Sequence, residues 1–289
     1  MRITTNLFIG LSSLCLLLNS QLLAASLGNH NKQFTPVSAM QESDWTDENE
    51  LQRTWDAALV RIPKENGSYV STTMEKLGGK EKQYLQAYPT VIYMHGCSGI
   101  WDGTYTRINW LAKSGFAVIA PASFAREKYP KSCDPYTQTG GFYQGTLMMR
   151  QNDAGYAISQ AKNLQWVDSE NVFLMGLSQG GITTATFSSK NPQQSVNARV
   201  IEGWTCNAGW PEYKGINAPA NEPVLSLVGK KDPWFQNNWT RGHCGTFMNK
   251  NNGSSSIEFD TGNLQYRHEL LEDKSVQKIV LEFLQKHIK

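Results

Sequence analysis

The run Gly176-Leu177-Ser178-Gln179-Gly180-Gly181 sets a serine among small residues, directly after the apolar stretch at 171–175. A serine on a tight turn between a strand and a helix projects its hydroxyl away from the backbone, and flanking glycines let the turn close. The helix that follows puts its positive end beneath the hydroxyl, where negative charge would develop on a reacting oxygen. The predicted chemistry is nucleophilic attack by Ser178; an ordinary Gly-rich turn is the structural alternative. A serine needs a base, and the chain holds five histidines: His30, His95, His243, His268 and His287. His30 falls in a polar leader, His287 ends the last helix and His95 closes an early strand. With the order Ser, acid, His along the chain, Asp232 supplies the acid, because it follows the apolar run at 224–228 through Gly229-Lys230-Lys231. A simple turn cap is the other reading of Asp232. His268 falls between a strand at 254–260 and the final helix, from where it can hang back toward Ser178. His243 comes too soon after Asp232 and reads as a local loop contact. In His95-Gly96-Cys97-Ser98-Gly99 the glycines let backbone approach a ligand. The N–H groups of Cys97 and Gln179 are the expected oxyanion hole, with His95 orienting or packing.

These residues need elements to hold them. Residues 57–63 and 68–74, separated by Asn66-Gly67, read as an edge hairpin. Apolar runs at 90–94, 116–120, 171–175 and 223–228, with a further one at 198–201, suit strands covered on both faces. Helical spacing appears at 104–114, 147–163, 180–188 and 275–287, and a short helix fits 47–55. Strands alternating with helices imply parallel pairing and right-handed crossovers. The expected fold class is therefore a three-layer α/β domain, its mostly parallel central sheet flanked by helices.

Lys and Arg number 27 against 25 Asp and Glu, which leaves no positive excess for gripping nucleic acid. Arg2, an apolar run at 7–18 and the small residues Ala24, Ala25 and Ser26 form the pattern of a secretory signal peptide. The organisation expected is a signal peptide at 1–25, a leader at 26–50 and a single catalytic domain at 51–289, with no stable membrane span after cleavage and a periplasmic or secreted location. Discounting Cys15 leaves Cys97, Cys133, Cys206 and Cys244, an even number suited to disulfides outside the cytosol. Their spacing matches no zinc knuckle, and the mechanism requires no metal or organic cofactor.

Ser178, Asp232 and His268, preceded by His95-Gly96, resemble the α/β-hydrolase superfamily. The segments Asp102-Gly-Thr-Tyr105, Ala120-Pro-Ala-Ser-Phe-Ala-Arg126 and Phe173-Leu-Met-Gly-Leu-Ser-Gln-Gly-Gly181 resemble its dienelactone-hydrolase-like branch, over about residues 56–287. Well-known dienelactone hydrolases use a Cys nucleophile in a cytosolic enzyme, whereas this chain carries Ser178 behind its expected signal peptide. The His-Gly-Cys segment is also similar to secreted polyester depolymerases and feruloyl-esterase-like proteins. The sheet order of the superfamily implies the pairs Cys97 with Cys133 and Cys206 with Cys244.

The resemblance implies an ester hydrolase acting on a small or polymeric ester. Two alternatives stay open: a peptidase or amidase using the same triad, and a secreted binding protein with a vestigial triad. A leader too short for a gating domain favours the ester. Residues 123–143 are too irregular for a core element and are expected over the pocket, with Trp204, Trp210 and residues 234–239. Arg126 is a candidate for binding a substrate carboxylate, with a structural salt bridge as its alternative, and Trp204 and Trp234 are candidate substrate contacts.

Overall fold

The computed structural model describes residues 27–28, 32–78 and 83–289; the expected signal peptide lies outside them. Its strands are β1 (Leu59–Pro63), β2 (Tyr69–Thr73), β3 (Tyr88–Met94), β4 (Ala117–Ala120), β5 (Cys133–Asp134), β6 (Thr139–Gly140), β7 (Val167–Leu177), β8 (Arg199–Glu202), β9 (Val224–Gly229) and β10 (Ser255–Phe259). Eight of them form one sheet in the order β10-β9-β8-β7-β3-β4-β1-β2. From β10 to β4 every pairing is parallel, and the hairpin β1–β2 adds an antiparallel edge. β5 and β6 pair only with each other, as a small hairpin outside the sheet.

Val91 and Tyr93 of β3 enter one core and Ile92 and Met94 the other, all fully buried. A strand covered on both faces needs the continuous apolar run that this segment carries. Helices α3 (Asp102–Lys113) and α6 (Lys274–Lys286) cover the Val91 side through Ile108, Leu111, Val276, Val280 and Leu284. Helices α1 (Glu48–Asp56), α2 (Met74–Leu77) and α4 (Gly145–Ala161) cover the other through Trp55, Met74, Leu77, Ala154, Ala157 and Ile158. Helix α5 (Gln179–Thr186) starts at the end of β7 and lies beside α4. The result is the expected three-layer α/β fold. Asp47 caps α1 by accepting the N–H groups of Asn49 and Glu50, a contact worth about 1 kcal/mol.

β7 is longer than its apolar run, because Asp168-Ser169-Glu170 continue the strand through a register shift between Tyr88 and Thr90 of β3. Hydrophobic patterning marks buried residues, and these three are partly or fully exposed. Among the described residues no helix is long and apolar enough to cross a membrane.

Candidate active site

Ser178 links β7 to α5 with φ 56° and ψ −117°, a backbone region that side chains rarely adopt. Its N–H donates to the Glu202 carbonyl at 2.8 Å and its own carbonyl accepts the N–H of Ile182 at 2.9 Å, so both sides of the turn are held. The neighbouring glycines are needed for close approach. A methyl added at Gly180 would overlap the Met94 carbonyl, and one at Gly176 would overlap the Gly180 backbone. On the other side, a methyl at Gly96 would lie 3.7 Å from the Ser178 Cβ. Cys97 and Gln179 both line the cavity that Ser178 faces, so the turn and the loop after β3 meet across it.

His268 donates from Nδ1 to Asp232 Oδ2 at 2.7 Å. The other carboxylate oxygen, Oδ1, accepts the N–H of Trp234 at 3.0 Å, so Asp232 caps a turn and holds the imidazole together. Donation from Nδ1 leaves the lone pair on Nε2. That nitrogen is buried and has no hydrogen-bond partner among the described residues, Ser178 included. The ring is fixed by stacking on Trp234, with centroids 5.3 Å apart, by Phe235, and by Gly203, where an added methyl would sit 3.2 Å from the imidazole Cε1. His243 is a loop contact: its Nδ1 accepts the N–H of Gly245.

His95 is fully buried and takes no part in the cavity. Its Nε2 accepts the Ser123 N–H and its Nδ1 donates to the Gly96 carbonyl at 2.7 Å, while Arg150 donates to the His95 carbonyl. Burial, reinforced by the Arg150 charge, holds its pKa well below the usual histidine value. A neutral ring locked at both nitrogens is a brace for the loop after β3.

A profile described as the Dienelactone hydrolase family matches residues 76–258. The chain belongs to the dienelactone hydrolase family. Comparison with the curated proteins gives no match. Among solved structures, Est1E from Butyrivibrio proteoclasticus is 14% identical with a TM-score of 0.49, the alignment covering 80% of this chain and 93% of that one. A dienelactone-hydrolase-like promiscuous phosphotriesterase, P91, from metagenomic libraries is 16% identical over 71% of this chain and 88% of its own, with a TM-score of 0.49. A hyperthermophilic esterase from the archaeon Pyrobaculum calidifontis is 14% identical over 86% and 94%, with a TM-score of 0.45.

In this member of the dienelactone hydrolase family, disulfides join Cys97 to Cys133 and Cys206 to Cys244. The first ties the loop after β3 to the β5–β6 hairpin. The second closes a loop carrying Trp210, Tyr213, Trp234, Phe235 and Trp239, all of which line the cavity with Trp204. The side chain of Gln179 accepts from Ser132 Oγ at 3.3 Å, which adds a polar tie to the hairpin wall.

Arg126 is not the substrate contact the sequence offered but takes its other reading, a structural salt bridge. It is fully buried, donates to Asp153 from Nε and Nη2 at 3.1 and 2.6 Å, and reaches the Asp44 carbonyl rather than the cavity. Its role is to fasten the leader: Phe34, Met40 and Trp45 pack on Phe124, Tyr129 and Met149 beside it. Only the second half of the 123–143 segment, Ser132, Cys133 and 138–141, lies over the pocket.

Two residues went unread in the sequence. Glu202, buried at the end of β8, accepts from Arg107 Nε at 2.7 Å and Nη2 at 2.6 Å, and its Oε1 also accepts the N–H groups of Leu270 and Leu271 at 2.7 and 2.8 Å. Leu270 and Leu271 lie two and three residues after His268, so the Arg107–Glu202 pair anchors the histidine loop to the sheet. An acid following Val200 and Ile201 at the end of the strand was the only local signal of it.

Proposed function

We propose that this protein is an exported serine hydrolase that cleaves a carboxylic ester through an acyl-enzyme intermediate. The observation that carries the reading is a constrained serine at the cavity together with a part-buried imidazole whose Nδ1 is bound to Asp232 and whose Nε2 has no partner among the described residues. Ser178 Oγ attacks the acyl carbon as its proton passes to His268 Nε2. The oxyanion is received by the N–H groups of Cys97 and Gln179, the latter opening α5. The imidazolium, stabilised by Asp232, gives the proton to the departing alkoxide. Water then attacks the acyl-enzyme with His268 again as base, releasing the acid and restoring Ser178. The absent Ser178–His268 hydrogen bond accords with this reading, because such contacts tighten when substrate binds. Two disulfides at the cavity walls suit an oxidising compartment and support export through the 1–25 segment.

Treatment of the mature protein with a fluorophosphonate, read by intact mass, should give one adduct that is lost in Ser178→Ala and much slower in His268→Ala. Ester turnover should fall by about 10⁴-fold or more in Ser178→Ala. Full hydrolytic activity in that variant would end the proposal.

A further inference from the structure

The cavity beside Ser178 encloses about 390 Å³, and among the described residues none that lines it is Asp, Glu, Lys, Arg or His. Of the cations near its lining, Lys214 beside Tyr213 is exposed and does not line it, and three others are engaged elsewhere. Lys131 pairs with Asp134 at 3.2 Å, Arg241 donates to the Gln236 carbonyl, and Arg126 lies behind the wall with Asp153. The donors in the lining are all neutral, so a carboxylate entering it loses water without gaining a charged partner and carries a larger desolvation cost than a neutral group.

Instead the wall is aromatic. Trp204 packs edge-on against Phe235 and Trp210 edge-on against Tyr213, each pair with centroids 5.3 Å apart. Trp204, Phe235 and Tyr213 are buried and complete the packing of the wall, but Trp210 is 40% and Trp239 73% exposed while lining the same cavity. Trp239 has no aromatic partner among the described residues. It is nevertheless presented on an ordered turn, because Asn237 Oδ1 accepts the N–H groups of both Trp239 and Thr240 and the Cys206–Cys244 bridge closes the loop. A large apolar ring carried on an ordered turn beside the cavity and without aromatic packing of its own offers a free face to a planar ligand.

We infer that the substrate is an uncharged ester bearing an aromatic ring, which lies between the Trp210 and Trp239 rim and the buried aromatic wall, and that esters bearing a free carboxylate on that ring are rejected. The inference rests on the serine hydrolase reading for the fate of the ester, but the recognition it describes is measurable without turnover.

The test uses the mature Ser178→Ala protein and calorimetric titration at pH 7 with two probes of matched shape: methyl 4-acetylbenzoate, which is neutral, and the methyl half-ester of 4-carboxybenzoic acid, which is an anion. The neutral ester should bind at least about tenfold more tightly. Adding Trp239→Ala should weaken it about fivefold, while Trp239→Phe keeps most of the affinity. Equal or tighter binding of the anion, failure of both probes to bind, or an unchanged affinity in Trp239→Ala would overturn the inference. Turnover by the wild-type protein separates the two readings. Selective binding without turnover strikes at the serine mechanism and leaves the substrate class standing; turnover that favours the carboxylate does the reverse.

Discussion

On the protein side of the Ser178 turn, three guanidinium–carboxylate pairs, Arg107–Glu202, Arg126–Asp153 and Arg199–Glu222, are closed from solvent on both partners. The cavity on the other side is walled by aromatic rings with no charged group among its described lining residues. The two regions use their side chains for different ends. A buried ion pair adds little net stability over apolar packing, yet it fixes direction, because each partner left alone would be a bare buried charge. That is why such pairs tie distant segments: Arg107–Glu202 to the histidine loop, Arg126–Asp153 to the leader, and Arg199–Glu222 to the edge of β9, whose neighbour Val196 gives its N–H to the same carboxylate. Aromatic rings, by contrast, cover area with at most one neutral polar group each, which leaves the cavity free to select by shape and neutrality.

The strongest way to break this contrast is at Glu202. Glu202→Gln leaves the buried Arg107 with only the partly exposed Glu269, at 3.1 Å, as a carboxylate partner and weakens the acceptor for Leu270 and Leu271, so unfolding in urea should show a loss of up to about 3 kcal/mol. In protein that remains folded, kcat should fall more than KM rises and fluorophosphonate labelling should slow, since the His268 loop is displaced while the aromatic wall is intact. Unchanged labelling would reduce the pair to a purely structural element.

Next is the covalent brace between the two sides. Cys97→Ala with Cys133→Ala opens a bridge spanning a sequence separation of 36. On chain entropy this should cost roughly 3–4 kcal/mol, read as a lower urea midpoint. A midpoint that does not move would mean that the loop after β3 is held by His95 and Arg150 alone.

The smallest effect concerns His95, the neutral member of the charged side. Its folded pKa is depressed by burial and by Arg150, so below the ordinary value of 6.5 the unfolded chain binds a proton that the folded one does not. No penalty exists above that pH; as pH falls through it, stability should drop by up to about 1.4 kcal/mol per pH unit. Denaturant titrations at pH 7.5, 6 and 5 should show this slope, and His95→Gln should flatten it. An equal slope in the variant would assign the effect to other groups.

Much of the molecule was legible in the sequence, and the reasons differ by residue. The Ser178 turn could be read because its requirement is local: Gly176 and Gly180 are present where any side chain would collide with neighbouring backbone. The sheet was legible because residues such as 90–94 must be apolar on both faces. Asp232 and His268 could be ordered along the chain, and their 2.7 Å contact joins residues 36 apart. Arg126 stayed between two readings because an arginine in an irregular segment looks the same whether it faces a ligand or a buried acid, and Asp153 gave no local sign of being its partner.

The sequence by itself determined the alternation of strands and helices, the strained serine turn, and the set of four cysteines outside the first residues, since each is written in neighbouring residue types whose sterics or hydrophobic period act over a few positions. Only the tertiary structure decided which arginines are neutralised, that Glu202 holds the histidine loop, and that the cavity is aromatic and without charge. Those properties belong to groups such as Arg107 and Glu202, 95 residues apart, whose desolvation and pairing are defined only once the sheet has brought them together.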